Sequence, residues 1–310
     1  MTTRLDDRSV VDILRARVAR ASRAPHGDGA SVALAVEGGA MRGVISAGMI
    51  SALEELGYID AFDAVYGSSA GAINAAYFLA GQARLGTRIY HEDINTRAFI
   101  DFGRALRGRP IVNLGFLLDD VARDRKKLDV TRVLESATPL WVLATDVAEC
   151  SARAFGPFDN AELLFGALRA GATMPVIAGE PHDYVGKRYL DASLTEPIPV
   201  PTAELGGHSH ILALLTRSGG MRPDVSAFDR YFVGPRLRRL SPELARRYLN
   251  RAAPYTELVR AMEGGLGPLG RARVLGVRVE DLRISKLERR REILELGARR
   301  GYAAVRALFG

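Results

Sequence analysis

The sequence predicts an α/β protein in which a mostly parallel central sheet is sandwiched by helices. Short, almost continuous apolar segments alternate with helical patterns from residue 31 onward, as they do in parallel sheets that are covered on both faces. Two of these segments end in glycine-rich breaks, "AVEGGAMRG" and "AVYGSSAG". The 310 residues, 47% of them hydrophobic, suffice to bury a large core.

The first 30 residues precede this alternation. Val11, Ile13, Leu14 and Val18 recur at helical spacing, and "RAPHGDG" ends the pattern. We therefore expect residues 1–30 to form a helical extension and residues 31–310 to form the α/β domain.

Six core strands are expected along the chain. The first two, "SVALAVEGG" and "AFDAVYG", are each followed by a helical pattern, "ISAGMISALEELGY" and "AGAINAAYFLAG". Further strands are expected at residues 140–147, 187–193, 210–217 and 273–279. The functional loops of such a sheet lie at the carboxyl ends of its strands.

Two helical regions flank or interrupt these strands. Residues 85–135 combine a helical pattern with a Gly/Pro break, which indicates helices inserted between core strands. Residues 285–309 place apolar side chains at helical spacing with arginines between them, which predicts a C-terminal helix. Such a helix either packs on its own sheet or rests on anionic lipid through its basic face.

Composition narrows the classes of function. The formal net charge of +7 favours anionic partners only as a nonspecific field, and no zinc-finger or RNP signature indicates nucleic-acid binding. The one cysteine, Cys150, has no internal disulfide partner and no zinc-ligand spacing, so neither metal nor cofactor is expected. Without a signal-peptide pattern or a long apolar run, we expect a cytoplasmic protein with peripheral contact to anionic membrane.

The strongest motif is the second glycine-rich break. Gly67-Ser68-Ser69-Ala70-Gly71 matches G-x-S-x-G at a predicted strand-to-helix turn, where such an elbow exposes a nucleophilic serine. Gly67 and Gly71 give the strand and helix room to close around Ser69. A Ser/Gly-rich helix cap is the alternative interpretation.

The first break supplies backbone donors. Gly38, Gly39 and Ala40 have little or no side chain, so their N–H groups can turn toward an oxyanion. A dinucleotide loop is disfavoured, because the glycines at 38, 43 and 48 lack the G-x-G-x-x-G spacing.

Together, E-G-G-A-M-R-G and G-S-S-A-G closely resemble the patatin-like phospholipase family, above all its bacterial members. The family's third element, Asp-Gly-Gly or Asp-Gly-Ala, is matched at "YLDASLTEPIPV", where Asp191 precedes Ala192 instead of glycine. The similarity extends over "LWVLATDV", "ALRAGATMPVIAG" and the closing segment, and so over nearly everything after residue 31.

The resemblance implies a serine acyl hydrolase that cleaves carboxylic esters of lipids. Ser69 and Asp191 would form a catalytic dyad without histidine, and Arg42 would anchor an anionic group. An aspartate at a strand's carboxyl end is expected at the same edge of a parallel sheet as the elbow. Arg42 could instead pair with Glu37 or Glu54.

Other interpretations stay open at this stage. A Ser–His–Asp esterase would use His182, His208 or His210, and Asp146 is a spare strand-end base. Ala192 favours a catalytically weak lipid-binding relative, because its methyl group would crowd the serine. Acyl-chain preference, headgroup and oligomeric state do not follow from the sequence.

Overall fold

Eight strands form one mixed sheet in the computed structural model, which describes residues 8–219 and 225–310. The strands are β1 Val32–Val36, β2 Ala64–Ser68, β3 Leu140–Asp146, β4 Ser151–Phe155, β5 His182–Tyr184, β6 Lys187–Asp191, β7 His210–Leu214 and β8 Arg273–Val277. The hydrogen-bonded order is β5-β6-β3-β2-β1-β7-β8, and β4 pairs with β3. All six expected strands are present; β4 and β5 are additional.

Eleven α-helices accompany the sheet in the described parts of the chain. They are α1 Val10–Ala19, α2 Gly43–Glu55, α3 Ala70–Leu79, α4 Ala83–Glu92, α5 Val130–Leu134, α6 Ala161–Ala172, α7 Val200–Leu205, α8 Gly234–Leu240, α9 Pro242–Leu249, α10 Ala252–Glu263 and α11 Arg291–Phe309. Short 3₁₀ helices lie at Ala40–Arg42, Ile59–Ala61, Phe102–Arg107 and Ala192–Leu194, and π-helices at Phe116–Arg125 and Asp229–Val233. Between α4 and β3, in the region of the expected helical insertion, the chain forms a 3₁₀ helix, a π-helix and the short helix α5.

The two faces of β1 show how the layers are built. Val32, Leu34 and Val36 are buried in a cluster with apolar residues of α2 and α3. Ala33 and Ala35 face the opposite way, into a second cluster with α7 and α10. A buried strand with apolar side chains on both faces needs a helical layer on each side. The predicted three-layer α/β fold is confirmed.

The direction of β6 differs from the expectation. The strands β1, β2, β3, β7 and β8 are parallel, but β6 runs antiparallel to β3. Asp191 pairs with Ala144, and Ser68 pairs with Leu143, the preceding residue of β3. Since β4 occupies the other side of β3 along this stretch, β2 and β6 share one side and meet end to end. This register brings the ends of β2 and β6 together. The expectation that Asp191 would reach the elbow because both end strands at one edge of a parallel sheet was wrong.

The terminal helices are tied into the domain. Arg17 of α1 is buried and bonds Asp28 and Asp63, each at 2.8 Å. The sequence before residue 8, part of the expected extension, lies outside the described residues. Helix α11 crosses α2 at close range, and this approach requires glycine at Gly48 and Gly301. A Cβ at either position would lie 2.1 Å from a backbone oxygen of the other helix. The apolar face of α11 is thus used against α2, with Leu294, Val305 and Phe309 buried.

Across residues 8–219 and 225–310, none of the helices is both long and apolar enough to span a lipid bilayer.

Candidate active site

Ser69 lies in a strained turn between β2 and α3. Its backbone has φ 54° and ψ −128°, a region that residues other than glycine rarely adopt. A Cβ on Gly67 would lie 2.3 Å from Ala72 Cα, and one on Gly71 would lie 2.3 Å from the Val36 carbonyl oxygen. Both glycines of the motif are therefore required by backbone contacts, one to the helix and one to β1.

Asp191 stands directly against this serine. Ser69 Oγ donates a 2.7 Å hydrogen bond to Asp191 Oδ2, while Asp191 Oδ1 accepts the N–H of Ser193 at 2.8 Å. Both side chains are buried. Burial raises the pKa of Asp191, and the hydrogen bonds from Ser69 and Ser193 oppose this rise. The carboxylate can therefore receive the serine proton directly.

The glycine-rich loop after β1 lies over the serine. A Cβ on Gly38 would be 2.5 Å from the Ser68 carbonyl oxygen and 2.7 Å from Ser69 Cβ. Gly39 has φ 152° and Ala40 has φ 52°, so the backbone turns sharply here. The N–H of Gly38, one of the three expected oxyanion donors, is already bonded to Pro197 O at 3.4 Å, whereas the N–H groups of Gly39 and Ala40 have no acceptor among the described residues. Two donors beside the nucleophile are thus free for a substrate oxygen.

Arg42 follows this loop and lies buried beside the serine, only 7% exposed. It forms no salt bridge with Glu37 or Glu54, so that alternative is wrong: Glu37 pairs with Arg217, Nε to Oε1 at 3.6 Å, and Glu54 accepts the Ala83 N–H. Arg42 Nε has no hydrogen-bond partner among the described residues. Burial, with the charge of Arg217, lowers the pKa of Arg42 to about 10.

Two further cations line the same pocket and were not identified from the sequence. Arg217 follows β7, and Lys286 lies in the segment before α11. Burial first, and then the charges of Arg42, Arg251 and Arg217, lower the pKa of Lys286 to about 8. Neither residue belongs to a recognisable motif, so only the fold brings them to Ser69.

The rest of the pocket is apolar. Away from the cations it is lined by residues of α3, α4 and the following irregular segment, including Ile73, Ile89, Tyr90, Phe99, Leu114 and Leu117. The space not filled by protein atoms is about 1020 Å³, its open mouth included. An apolar pocket ending at a nucleophile suits a hydrocarbon chain.

The histidines lie elsewhere, and none of the chain's five lines this pocket. His208 contacts Ser31 and Tyr66. His210 is the first residue of β7 and lies at the end of the sheet that is remote from the elbow. His182 pairs with Tyr189 between β5 and β6. The positions of these residues disfavour a Ser–His–Asp triad.

Asp146, the spare base, also has another role. Its Oδ1 accepts the N–H groups of Ala148 and Glu149 at the end of β3, and its Oδ2 faces Lys187 Nζ at 3.3 Å. Burial opposes ionisation, but these partners prevail and lower the pKa of Asp146. Asp146 therefore stabilises a turn.

Ala192 does not crowd the nucleophile. Its side chain is fully buried in the apolar cluster that contains Ala33, Tyr66 and Ile198 on the α7 and α10 side of the sheet. Its φ is not positive, so the position does not require glycine. The alanine that replaces the family's glycine therefore packs in the hydrophobic core.

No group of three or more potential metal-ligating side chains of His, Cys, Asp or Glu occurs within the described ranges.

Sequence comparison relates this chain to one described family. A family model described as patatin-like phospholipase matches residues 34–204. The uncharacterized protein YjjU of Escherichia coli (strain K12) is 26% identical over 187 residues, which cover 60% of this chain and 52% of YjjU. This chain thus spans about half the length of that curated relative. VipD from Legionella pneumophila, a crystal structure, aligns with a TM-score of 0.47 at 13% identity over 90% of this chain and 66% of VipD.

Proposed function

The chain belongs to the patatin-like phospholipase family, and from this premise we propose that it is a serine hydrolase of carboxylic esters in lipids. One observation carries the proposal: Ser69 Oγ and Asp191 Oδ2 are 2.7 Å apart at the end of an apolar pocket. The free N–H groups of Gly39 and Ala40 support it, because acyl transfer needs donors for a developing oxyanion.

The reaction proceeds in two halves. Asp191 accepts the proton of Ser69 Oγ as the oxygen attacks the ester carbonyl carbon, and the N–H groups of Gly39 and Ala40 hold the carbonyl oxygen as it becomes negative. The ester C–O bond then breaks, and the leaving alcohol takes the proton from Asp191. Water attacks the acyl–Ser69 intermediate in the same way, giving its proton to Asp191, and the released Ser69 recovers a proton as the fatty acid departs.

A fluorophosphonate probe tests the nucleophile. We expect the probe to label Ser69, and Ser69→Ala to abolish both labelling and hydrolysis of p-nitrophenyl esters. Ser68→Ala is the matched control, because the neighbouring hydroxyl bonds the Glu196 carbonyl at 3.0 Å instead of Asp191. Labelling of another serine, or full activity of Ser69→Ala, would contradict the proposal.

Asp191→Asn tests the base. Asn can still accept the Ser193 N–H through its amide oxygen but cannot take a proton from serine, so we expect turnover to fall by about 10³-fold or more while the protein remains folded. Asp146→Asn, a second buried strand-end aspartate, should lower stability yet retain labelling of Ser69. Equal losses of turnover in both variants, measured on folded protein, would count against Asp191 as the base.

Access to lipid is proposed through the 3₁₀ helix Phe102–Arg107. Phe102 is 56% exposed and Leu106 is 92% exposed, beside the exposed Arg107 and Arg109. This helix connects two segments of chain that pair with each other at Ile100 and Val112. Both segments line the pocket, through Phe99 and Val112. Apolar tips with cations next to them match the surface of an anionic bilayer.

Vesicle sedimentation tests this contact. Leu106→Asp should weaken binding to vesicles containing phosphatidylglycerol, whereas Leu205→Asp, which alters a leucine 68% exposed at the end of α7, should not. Equal binding of both variants would exclude the 3₁₀ helix as the contact.

A further inference from the structure

A second cavity, called here the basic chamber, adjoins the catalytic pocket. It lies between residues 193–197 and the helices α9 and α10, and its cations are Arg217, Arg246, Arg247, Arg251 and Lys286. Ser193, Pro197, Arg217 and Lys286 line both cavities, so the two are neighbours across these side chains. All five cations lie beyond residue 204, where the match to the family model ends.

Two acids, Glu196 and Glu257, also line the chamber, and internal acids neutralise only part of its positive charge. Arg217 pairs with Glu37, Arg251 Nη2 lies 2.8 Å from Asp229 Oδ2, and Glu243 bonds both Arg246 and Arg247. Lys286 and the neighbouring Arg42 form no ion pair with any residue in the described parts of the chain. Carboxylates offset these two charges only at longer range: Glu37 acts on Arg42, and Asp229 and Asp191 act on Lys286. The boundary between the two cavities therefore carries an excess of positive charge.

This arrangement is costly unless an anion completes it. Arg42 is buried, lines the catalytic pocket, and leaves Nε without a hydrogen-bond partner among the described residues. Burying a cation without a directly paired counter-charge costs several kcal/mol per ion in general. Such local violations are characteristic of functional sites. A ligand with negative charge would relieve both the desolvation and the mutual repulsion of Arg42, Arg217 and Lys286.

We propose that the basic chamber holds the phosphate headgroup of a phospholipid substrate, and that it selects headgroups with net negative charge over zwitterionic ones. This inference rests on the proposed function. With an acyl chain in the apolar pocket and the scissile ester at Ser69, the phosphate would lie beside Lys286 and Arg217, and the remainder of the headgroup would enter the chamber. A choline ammonium would face these cations and be repelled, whereas an uncharged neutral lipid would leave them uncompensated.

The selectivity is tested by binding rather than turnover, so the test does not depend on catalysis. Full-length Ser69→Ala protein is titrated by calorimetry with dihexanoyl phosphatidylglycerol, dihexanoyl phosphatidylcholine and glycerol 3-phosphate. We expect phosphatidylglycerol to bind at least about tenfold more tightly than phosphatidylcholine, because both carry one phosphate charge but only phosphatidylcholine brings an ammonium that the chamber's cations repel. Glycerol 3-phosphate should bind more weakly than phosphatidylglycerol, because it has no acyl chain for the apolar pocket.

Variants locate the effect. Adding Lys286→Met should reduce the affinity for phosphatidylglycerol about tenfold and remove most of the preference, whereas Lys127→Met, an exposed lysine outside both cavities, should bind like the parent. Asn250→Asp, which adds a negative charge to the chamber wall, should act in the same direction if Lys286→Met does not fold.

Three results would overturn the inference: equal affinity of the parent for the two lipids, a preference that survives both Lys286→Met and Asn250→Asp, or glycerol 3-phosphate binding as tightly as phosphatidylglycerol. The last result would assign the chamber to a soluble phosphate. If the wild type hydrolyses p-nitrophenyl esters but Ser69→Ala binds the two lipids equally, only this inference fails. If Ser69→Ala binds selectively but the wild type hydrolyses no ester, only the proposed enzymatic function fails.

Discussion

Gly38→Ala should impair catalysis by displacing the nucleophile. The added Cβ would lie 2.5 Å from the Ser68 carbonyl oxygen and 2.7 Å from Ser69 Cβ, and real Cβ contacts are essentially never under 3.0 Å. The loop and the elbow must therefore separate by roughly half an ångström, since both contacts are with the backbone or its first side-chain carbon. A shift of about 1 Å at a reacting group can cost about a hundredfold in rate.

We therefore expect kcat/KM for p-nitrophenyl butyrate, and the rate of fluorophosphonate labelling, to fall about 10- to 100-fold. Overpacking of this kind should also lower the free energy of unfolding by about 1–3 kcal/mol, which urea titration measures. Gly276→Ala in β8 is the control, because its Cβ would meet only Leu215 Cδ1 at an ordinary 3.5 Å. Gly38→Ala protein that is folded and within threefold of wild-type activity would refute this geometric explanation.

Three further outcomes follow from the site. Ala192→Gly should change rates on short and long p-nitrophenyl esters by less than about twofold but destabilise the fold by about 1 kcal/mol in urea, since it removes a core methyl group and frees the backbone; a large gain on long esters would show that the methyl obstructs Ser69 after all. Asp191 must be ionised to act, and the charge of Lys286 lowers the pKa of Asp191. Lys286→Met should therefore move the acid limb of the pH profile of kcat/KM to higher pH. A limb that does not move, or that moves to lower pH, would contradict this coupling. His210→Asn should leave Ser69 labelling within about twofold of wild type, whereas its loss in folded protein would reopen the triad mechanism.

The parts of the fold that could be predicted are those with local signals. Buried parallel strands are apolar along their whole length, and each glycine-rich break marks a turn whose backbone contacts demand glycine, as Gly67 and Gly71 show. The strands β4 and β5 lack this signal, because their side chains are mostly half-buried or exposed. Short strands with mixed exposure resemble loops in sequence.

The position of Asp191 shows a prediction whose reason was wrong. The sequence identified the residue through family resemblance, together with an expected parallel strand. The structure places Asp191 beside Ser69 because the antiparallel β6 meets the end of β2 along one side of β3. Strand direction depends on pairing between distant segments, which a local pattern does not encode.

The proposed site draws its catalytic residues and its cations from two different parts of the chain. Ser69, Asp191 and the Gly38–Ala40 loop lie within residues 34–204, and these residues supply the proposed chemistry. Arg217 and Lys286 lie outside that range and reach the pocket only because β7 runs beside β1 and the segment before α11 returns to residue 41, where Met41 N bonds Lys286 O at 3.2 Å. Cations scattered along a sequence give no sign that they will meet. We therefore expect relatives that share the elbow and the aspartate to differ in headgroup preference wherever residues 217 and 286 differ in charge.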